Sequence, residues 1–332
     1  MSALLELREV TVRYALRSPH HGALTAVSAA SFRQGAGEML GLVGESGCGK
    51  SSLARAILGL VPLAAGEIRW DGRRIDGLAA REFRPLRREL QYVFQDPHAC
   101  LDPRMTIGES VEEPLRALLP RLDGPARAER VQRLLPEVGL APDLCGRYPH
   151  QLSGGQLQRA VIARALVLDP RFVAFDEPVS ALDVSVQGQI VNLLATIQRR
   201  RGLAGLFISH NLAVVARLCG RVLVMYRGRI VESAASGVLI AAPRHPYTRE
   251  LLDAVPAVDA GARGRALRRR ARAIAGEDGP DPGGCVFAAR CPWAVARCRS
   301  EAPALRATGA GHEIACHRAD EWPGGLPASA PA

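Results

Sequence analysis

The stretch that decides the fold is Gly44-Glu45-Ser46-Gly47-Cys48-Gly49-Lys50-Ser51, which follows a short apolar run from Met39 to Val43. Its spacing fits the phosphate-loop pattern, in which glycines let the backbone turn so that its N–H groups point at phosphate oxygens. The apolar run predicts a buried strand. Ser52 to Leu60 is expected to form the next helix, whose positive N-terminal end also attracts phosphate. Strand, loop and helix together are the opening unit of an α/β domain.

Within this motif, Lys50 is expected to reach the β- and γ-phosphates and Ser51 to hold Mg²⁺. The motif alone indicates only that the chain binds a nucleoside triphosphate, and it would suit a kinase, a GTPase or a motor equally well. A tight glycine turn without a ligand is the alternative structural interpretation.

Further motifs follow in a fixed order along the chain. Two short apolar runs predict parallel strands, and each ends in polar residues. The motifs are Gln95-Asp96-Pro97, Leu152-Ser153-Gly154-Gly155-Gln156, the strand Phe172 to Phe175 with Asp176 and Glu177, Ser180-Ala181-Leu182-Asp183, and the strand Leu206 to Ser209 with His210. In this order they closely resemble the ABC ATPase family over roughly residues 5–235. The resemblance implies an α/β fold with a RecA-like core, an antiparallel β subdomain and an α-helical subdomain at about 96–168.

The acidic pair at the end of the strand has a chemical reason. A carboxylate at Asp176, beside the phosphate loop, can hold the Mg²⁺ shell, and Glu177 can orient and polarise the attacking water. The resemblance implies that His210 approaches the γ-phosphate. It also implies that Gln95 links the metal and the water to the helical region. A lone Gln or His would ordinarily be a surface or core residue.

The resemblance implies that the Leu152–Gln156 segment faces a nucleotide bound by a second subunit, so that two ATP molecules lie between two ATPase chains. Tyr14 resembles the aromatic residue that stacks on adenine, although an ordinary strand aromatic is the alternative. The residues expected to contact nucleotide are Tyr14, Gly44, Glu45, Ser46, Gly47, Cys48, Gly49, Lys50, Ser51, Ser52 and Asp176, with Ser153, Gly154, Gly155 and Gln156 acting on the partner's nucleotide. The expected Mg²⁺ ligands are Ser51, Gln95 and Asp176.

Beyond residue 235 the chain is expected to form an appendage over 236–322 and a disordered tail over 323–332. The particular residues of the ATPase motifs, together with the segment His245-Pro246-Tyr247-Thr248, resemble those of the oligopeptide/dipeptide/nickel importer family. This resemblance implies a related but different ATPase partner, two transmembrane permease subunits and an extracytoplasmic solute-binding protein. No run of about eighteen apolar residues occurs and the N-terminus does not read as a signal peptide. We therefore expect a peripheral protein on the cytoplasmic face of the inner membrane.

The composition leaves other classes to weigh. The net charge of +10 raises the possibility of an ABC ATPase that acts on nucleic acid or ribosomes. The Arg268–Arg270 run is expected to form a solvated basic face, with proximity to anionic lipid headgroups as the alternative. We expect no nucleic-acid partner, because the chain has neither a second phosphate loop nor a long insertion. A small-molecule kinase would leave residues 152–156 unexplained, and a catalytically dead regulator would not need the intact Lys50 and Glu177. The motifs do not identify the cargo.

Four of the eight cysteines lie close together in the appendage: Cys285, Cys291, Cys298 and Cys316. Their spacing lacks the paired Cys-x2-Cys units of most structural zinc sites, and four thiolates suit a cubane [4Fe-4S] cluster. The importer-family resemblance implies such a cluster. A zinc site that also uses His312 or His317, or a set of free thiols, is the alternative. A metal group there is expected to lie far from the ATP chemistry and to hold the appendage together.

Overall fold

The computed structural model describes residues 3–15, 23–254, 283–309, 311–322 and 324–327. The Arg268–Arg270 run lies outside these ranges. So do residues 323 and 328–332, which make up most of the predicted tail.

The described strands form two sheets. They are β1 (Leu5–Ala15), β2 (Ala23–Gln34), β3 (Met39–Val43), β4 (Ala65–Trp70), β5 (Arg73–Arg74), β6 (Leu90–Val93), β7 (Phe172–Asp176), β8 (Ala204–Ser209), β9 (Arg221–Tyr226), β10 (Arg229–Ala235), β11 (Arg306–Ala307) and β12 (Glu313–Ile314). The larger sheet has the order β11-β12-β10-β9-β3-β8-β7-β6, and the smaller one the order β2-β1-β4-β5.

The described helices connect and cover these strands. They are α1 (Lys50–Ile57), α2 (Ala80–Phe83), α3 (Leu86–Glu89), α4 (Ile107–Leu118), α5 (Gly124–Glu137), α6 (Gly154–Leu166), α7 (Val184–Arg201), α8 (Leu212–Leu218), α9 (Ser236–Ala241), α10 (Pro246–Asp253) and α11 (Ala296–Ser300). Short 3₁₀ turns lie at His98–Cys100, Pro142–Gly146, Pro149–Gln151 and Ala319–Glu321. None of the helices in the described ranges is long and apolar enough to cross a membrane.

The centre of the larger sheet is parallel, from β6 through β7, β8 and β3 to β9. Every residue of β3, β7 and β8 is buried, as expected for strands covered on both faces. Successive side chains alternate between two apolar clusters. Val173 and Phe175 face the cluster shared with the helices α4–α6, whereas Phe172 and Ala174 face the cluster shared with α1 and the smaller sheet. Because these strands are parallel, their carboxyl ends meet at one edge of the sheet.

The predicted strands at 39–43, 172–175 and 206–209 are confirmed, with β7 one residue longer and β8 two residues longer. The predicted helix Ser52–Leu60 is shifted: α1 begins at Lys50 and ends at Ile57. Gly49, in a left-handed conformation with φ 108°, is the N-cap, so Lys50 already lies in the first helical turn. Gly59, with φ 63°, turns the chain away after the helix.

The carboxy-terminal segment continues the larger sheet. β12 pairs antiparallel with β10 through Glu232 opposite Ile314, and β11 pairs with β12. Glu232 is fully buried, and its carboxylate accepts the backbone N–H groups of Arg244 and His245 at 2.8 and 3.1 Å. His312 Nε2 lies 2.7 Å from the same carboxylate. One buried side chain of β10 thus fixes both the start of α10 and the approach to β12.

We predict that Glu232→Ala destabilises the chain by about 3 kcal/mol, because three buried polar groups lose their acceptor at once. Urea unfolding of the purified full-length chain measures this loss. Glu313→Ala is the control, because Glu313 lies in the partner strand but is only half-buried. Equal stability of the two variants would contradict the role assigned to the Glu232 carboxylate.

Candidate nucleotide site

The conformation of the phosphate loop requires glycine at two positions. A Cβ at Gly49 would lie 2.1 Å from the Ala26 carbonyl oxygen in β2, and a Cβ at Gly44 would lie 2.2 Å from the Met225 carbonyl oxygen in β9. Gly47 also has a positive φ, 79°, but a Cβ there would meet nothing within 4 Å. The loop is therefore pressed against two strands at its ends and open in its middle.

Lys50 is the cation of the loop and is only 4% exposed. Its Nζ donates to the backbone carbonyl oxygens of Gly44 and Glu45, both at 2.8 Å, and lies 3.9 Å from Glu177 Oε1. The ammonium group is thereby held inside the turn of the loop and close to the carboxylate expected to act in hydrolysis.

Asp176, at the end of β7, faces the start of α1. Ser51 Oγ donates to Asp176 Oδ1 at 3.0 Å, and the Tyr92 hydroxyl donates to Asp176 Oδ2. Burial, together with the negative charge of Asp176, raises the pKa of Tyr92, so this hydroxyl remains protonated and keeps donating. The hydroxyl and carboxylate oxygens of Ser51 and Asp176 are hard donors that fit Mg²⁺.

Glu177 is the point on which the other predicted catalytic residues converge. Gln95 Nε2 donates to Glu177 Oε2 at 3.4 Å, and His210 Nδ1 lies 3.4 Å from the same oxygen. The backbone of Glu177 has a φ of 46°, a conformation uncommon for a residue other than glycine, and its N–H donates to the Ile208 carbonyl at 3.1 Å. This backbone turn directs the carboxylate towards Lys50 and the edge of the sheet.

The Leu152–Gln156 segment lies at the start of α6. Ser153 is the N-cap: its Oγ accepts the Gln156 N–H, and its own N–H donates to Gln156 Oε1 at 2.9 Å. Ser153 and Gly154 are exposed. Among the described contacts, no hydrogen bond or ion pair joins this segment to the phosphate loop of the same chain.

Tyr14 lies beside the phosphate-loop helix. Its hydroxyl is 3.2 Å from Ser52 Oγ, and its ring is half-buried on β1. The structure therefore brings the predicted adenine-stacking residue next to the predicted nucleotide-contact residue Ser52. Whether the ring stacks on adenine stays a prediction.

The four appendage cysteines line one small cavity, together with His317 and several aromatic residues. Burial raises the pKa of the Cys291 thiol to about 12 and that of the Cys316 thiol to about 11. Within the described residues, however, no group of three or more His, Cys, Asp or Glu side chains is placed to hold a metal ion. Of the two histidines in the zinc alternative, His312 is not among the residues that line this cavity, and its Nε2 lies 2.7 Å from Glu232. His317 lines the cavity, and its Nε2 lies 2.9 Å from the Glu301 carbonyl oxygen.

The expectation that the cysteine region lies far from the ATP chemistry is wrong. Arg290, the residue before Cys291, forms two hydrogen bonds to the carboxylate of Glu45 in the phosphate loop, at 3.0 and 3.1 Å. The buried Tyr247 hydroxyl accepts the Glu45 backbone N–H at 2.7 Å. The appendage therefore packs directly on the nucleotide loop. Sequence reasoning missed Tyr92, Tyr247 and Arg290 as site residues. Two signals were available: Tyr92 lies near the end of a strand, three residues before Gln95, and Tyr247 belongs to the motif His245–Thr248.

Comparison with known proteins agrees with this geometry. A family model described as ABC transporter matches residues 27–180, and one described as oligopeptide/dipeptide transporter, C-terminal region, matches residues 231–298. The oligopeptide transport ATP-binding protein OppF of Escherichia coli is 44% identical over 96% of this chain and 96% of its own. A Brucella ovis protein, provisionally named for peptide import and ATP binding, is 48% identical over 95% of this chain and 98% of its own.

A solved structure extends the comparison to the fold. The dimeric ATP-binding cassette MJ0796, in a post-hydrolysis state bound to ADP and Pi, is 28% identical with a TM-score of 0.64, covering 70% of this chain and 98% of that one. These matches show that the chain belongs to the ATP-binding subunits of the ABC transporter family and, within it, to the members that carry the oligopeptide/dipeptide transporter C-terminal region. It is an ABC-type ATPase with the P-loop ATPase fold expected from its motifs.

We predict that Gly49→Ala lowers the free energy of unfolding by more than about 2 kcal/mol, since strain in the left-handed region adds to displacement of β2. Gly47→Ala is the matched control. It should lose only the strain, about 1 kcal/mol, because the space beside it is open. Denaturant unfolding of both variants makes the comparison, and equal losses would show that contact with Ala26 does not constrain the loop.

Proposed function

We propose that this chain powers the import of peptides across the cytoplasmic membrane by binding and hydrolysing ATP. The observation that carries the proposal is the convergence of Gln95 and His210 on Glu177, beside the buried Lys50. The names of the relatives, which refer to peptide import and oligopeptide transport, supply the cargo class. They give no support to the alternative of an ATPase acting on nucleic acid or ribosomes.

Each side chain of the site then has a role in the reaction. Lys50 places its charge on the β- and γ-phosphates, and backbone N–H groups of the loop that follows Glu45 surround them. Glu177 accepts a proton from the attacking water, while His210 and Gln95 keep its carboxylate in place. Ser51 and Asp176, with Gln95, would hold Mg²⁺, which neutralises developing phosphate charge. Tyr92 orients Asp176 by its hydrogen bond.

The working unit in this proposal is a pair of ATPase chains. The exposed Ser153 and Gly154 at the start of α6 are available to a nucleotide held by a second chain, most simply a related but different one. ATP would close the pair, and hydrolysis would open it. Two permease subunits and a solute-binding protein complete the importer, so the chain lies on the cytoplasmic face of the inner membrane. We propose residues 1–235 as the ATPase domain and 236–322 as the appendage, followed by the tail at 323–332.

We further propose that Cys285, Cys291, Cys298 and Cys316 hold a [4Fe-4S] cluster, with zinc as the alternative. The support is the donor set alone, because such a cluster needs four thiolates and all four thiols line one cavity, although their side chains are not arranged there as a ligand group. The raised pKa values of Cys285, Cys291 and Cys316 mean that binding must displace protons, so the metal group would be coupled to the folding of the appendage. The role of the metal group would be structural.

Anaerobic purification should yield a coloured protein with about four iron and four sulfide per chain. Cys298→Ser should lose iron, whereas Cys100→Ser, a half-buried cysteine outside the cavity, should retain it. Iron and sulfide analysis with a visible absorption spectrum makes the measurement. A colourless protein with stoichiometric zinc would contradict the cluster.

Glu177→Gln should retain ATP binding but lower ATP turnover by a hundredfold or more, because about that much depends on a positioned general base. The same variant should accumulate as a closed dimer with ATP. Steady-state hydrolysis of the assembled complex and gel filtration of the ATP-loaded chain test the two outcomes.

A second substitution distinguishes binding of ATP to this chain's own phosphate loop from contact of residues 152–156 with the ATP of the partner chain. Ser153→Arg added to Glu177→Gln should prevent the closed dimer while leaving binding of ATP to this chain's own loop intact. Unchanged turnover in Glu177→Gln would overturn the catalytic assignment, and full activity of a strict monomer would overturn the paired arrangement.

A further inference from the structure

Glu45, the second residue of the phosphate loop, is held through its N–H, its carbonyl oxygen and its carboxylate. On its N–H side, Glu45 donates to the Tyr247 hydroxyl at 2.7 Å. On its carbonyl side, it accepts from Lys50 Nζ at 2.8 Å. Its carboxylate takes two hydrogen bonds from Arg290. The same residue that orients the phosphate-binding lysine is therefore fixed by side chains more than 200 positions away in sequence.

The two appendage side chains are themselves held in place. Tyr247 is fully buried, and its ring centre lies 4.6 Å from that of Tyr226 and 5.8 Å from that of Phe287. The Arg290 guanidinium lies over the Tyr226 and Phe287 rings and donates to Glu250 at 2.8 Å. These contacts leave little freedom for either group to leave Glu45.

Both groups keep the protonation state that the contact needs. Burial, with the charge of Glu45 adding to it, raises the pKa of Tyr247, so its hydroxyl stays neutral. Although burial of the guanidinium works in the opposite direction, hydrogen bonds to Glu45 and the charge of Glu250 raise the pKa of Arg290. Neither Tyr247 nor Arg290 therefore loses its proton in the neutral range.

The N-cap of α10 supports Tyr247 in turn. The His245 imidazole, whose pKa burial lowers to about 4, is neutral and accepts the Tyr247 N–H on Nδ1 at 3.1 Å. The His245 N–H is anchored to Glu232 in β10. Hydrogen bonds of His245 and Tyr247, at the start of α10, thus connect β10 of the larger sheet to the phosphate loop.

We infer that Tyr247 and Arg290 are positioning residues of the ATP site, and that the docked appendage sets the affinity of the phosphate loop for ATP. The inference rests on the proposed ATP site. A loop fixed in its binding conformation loses less conformational entropy when phosphate binds, so release of Glu45 weakens binding. Among the described contacts, no hydrogen bond or ion pair joins Tyr247 or Arg290 to the carboxylate of Glu177, so we expect affinity to change more than turnover.

The experiment measures binding of a fluorescent ATP analogue with Mg²⁺ to the full-length chain, and KM and kcat in the assembled complex. Tyr247→Phe keeps the buried ring and removes only the hydroxyl. It should raise Kd and KM about three- to tenfold, the loss expected for one buried hydrogen bond, with kcat nearly unchanged. Arg290→Gln should act in the same direction.

A double-mutant cycle separates positioning from general damage. If Arg290 acts through Glu45, the combination of Arg290→Gln with Glu45→Gln should bind ATP no more weakly than Glu45→Gln alone. Arg318→Gln is the matched control. Arg318 donates to both carboxylate oxygens of Glu321, as Arg290 does to Glu45, and its guanidinium lies over the Trp322 ring within the same appendage. Its Kd should equal that of the unchanged protein.

The outcomes are distinct from those of the ATPase proposal. A wild-type chain that neither binds nor hydrolyses ATP would remove the site itself. If the wild-type chain binds ATP normally and both Tyr247→Phe and Arg290→Gln bind it with the same Kd as the wild type, only the positioning role is overturned. That role would also be overturned if Arg318→Gln weakened binding equally, or if the losses at Arg290 and Glu45 were additive.

Discussion

The path of the backbone between β3 and α1 is the constraint on which the rest of the structure depends. The loop must curl tightly enough for its N–H groups to surround phosphate, and it can do so only where glycines let it touch Ala26 and Met225. That contact ties the loop to β2 of the smaller sheet and to β9 of the larger one. The relative placement of the two sheets is thus set at the nucleotide site.

Once the loop is fixed, the chemistry follows from strand order. β3 lies beside β8, and β8 beside β7, and all three strands are parallel. Lys50, His210 and Glu177, which follow these strands, therefore lie at the same edge of the sheet. The adjacent β6 adds Tyr92 and Gln95 to the same edge. Polar groups there are paired with one another, so a buried lysine and two carboxylates are tolerated close to an apolar core.

Local patterns explain what the sequence predicted. The phosphate loop, the acidic end of β7 and the Leu152–Gln156 segment each depend on residues within a few positions of one another, and the sequence revealed all three. Tyr92 was missed because a tyrosine in a strand is ordinary until the register of β6 against β7 is known. The contact between Arg290 and Glu45 spans 245 positions and follows no periodicity. β12 has only two residues, too few for an alternating pattern to reveal that it extends the main sheet.

The buried carboxylate of Glu232 has an evolutionary consequence. It belongs to a strand of the ATPase sheet, yet each of the hydrogen bonds described for it comes from the carboxy-terminal extension. A lineage that deleted the extension would inherit an ionisable group on a newly opened sheet edge, where unpaired strands also invite aggregation. Gain or loss of the extension is therefore expected to be accompanied by replacement of Glu232. The ATPase domain and the carboxy-terminal extension are thus not expected to evolve independently.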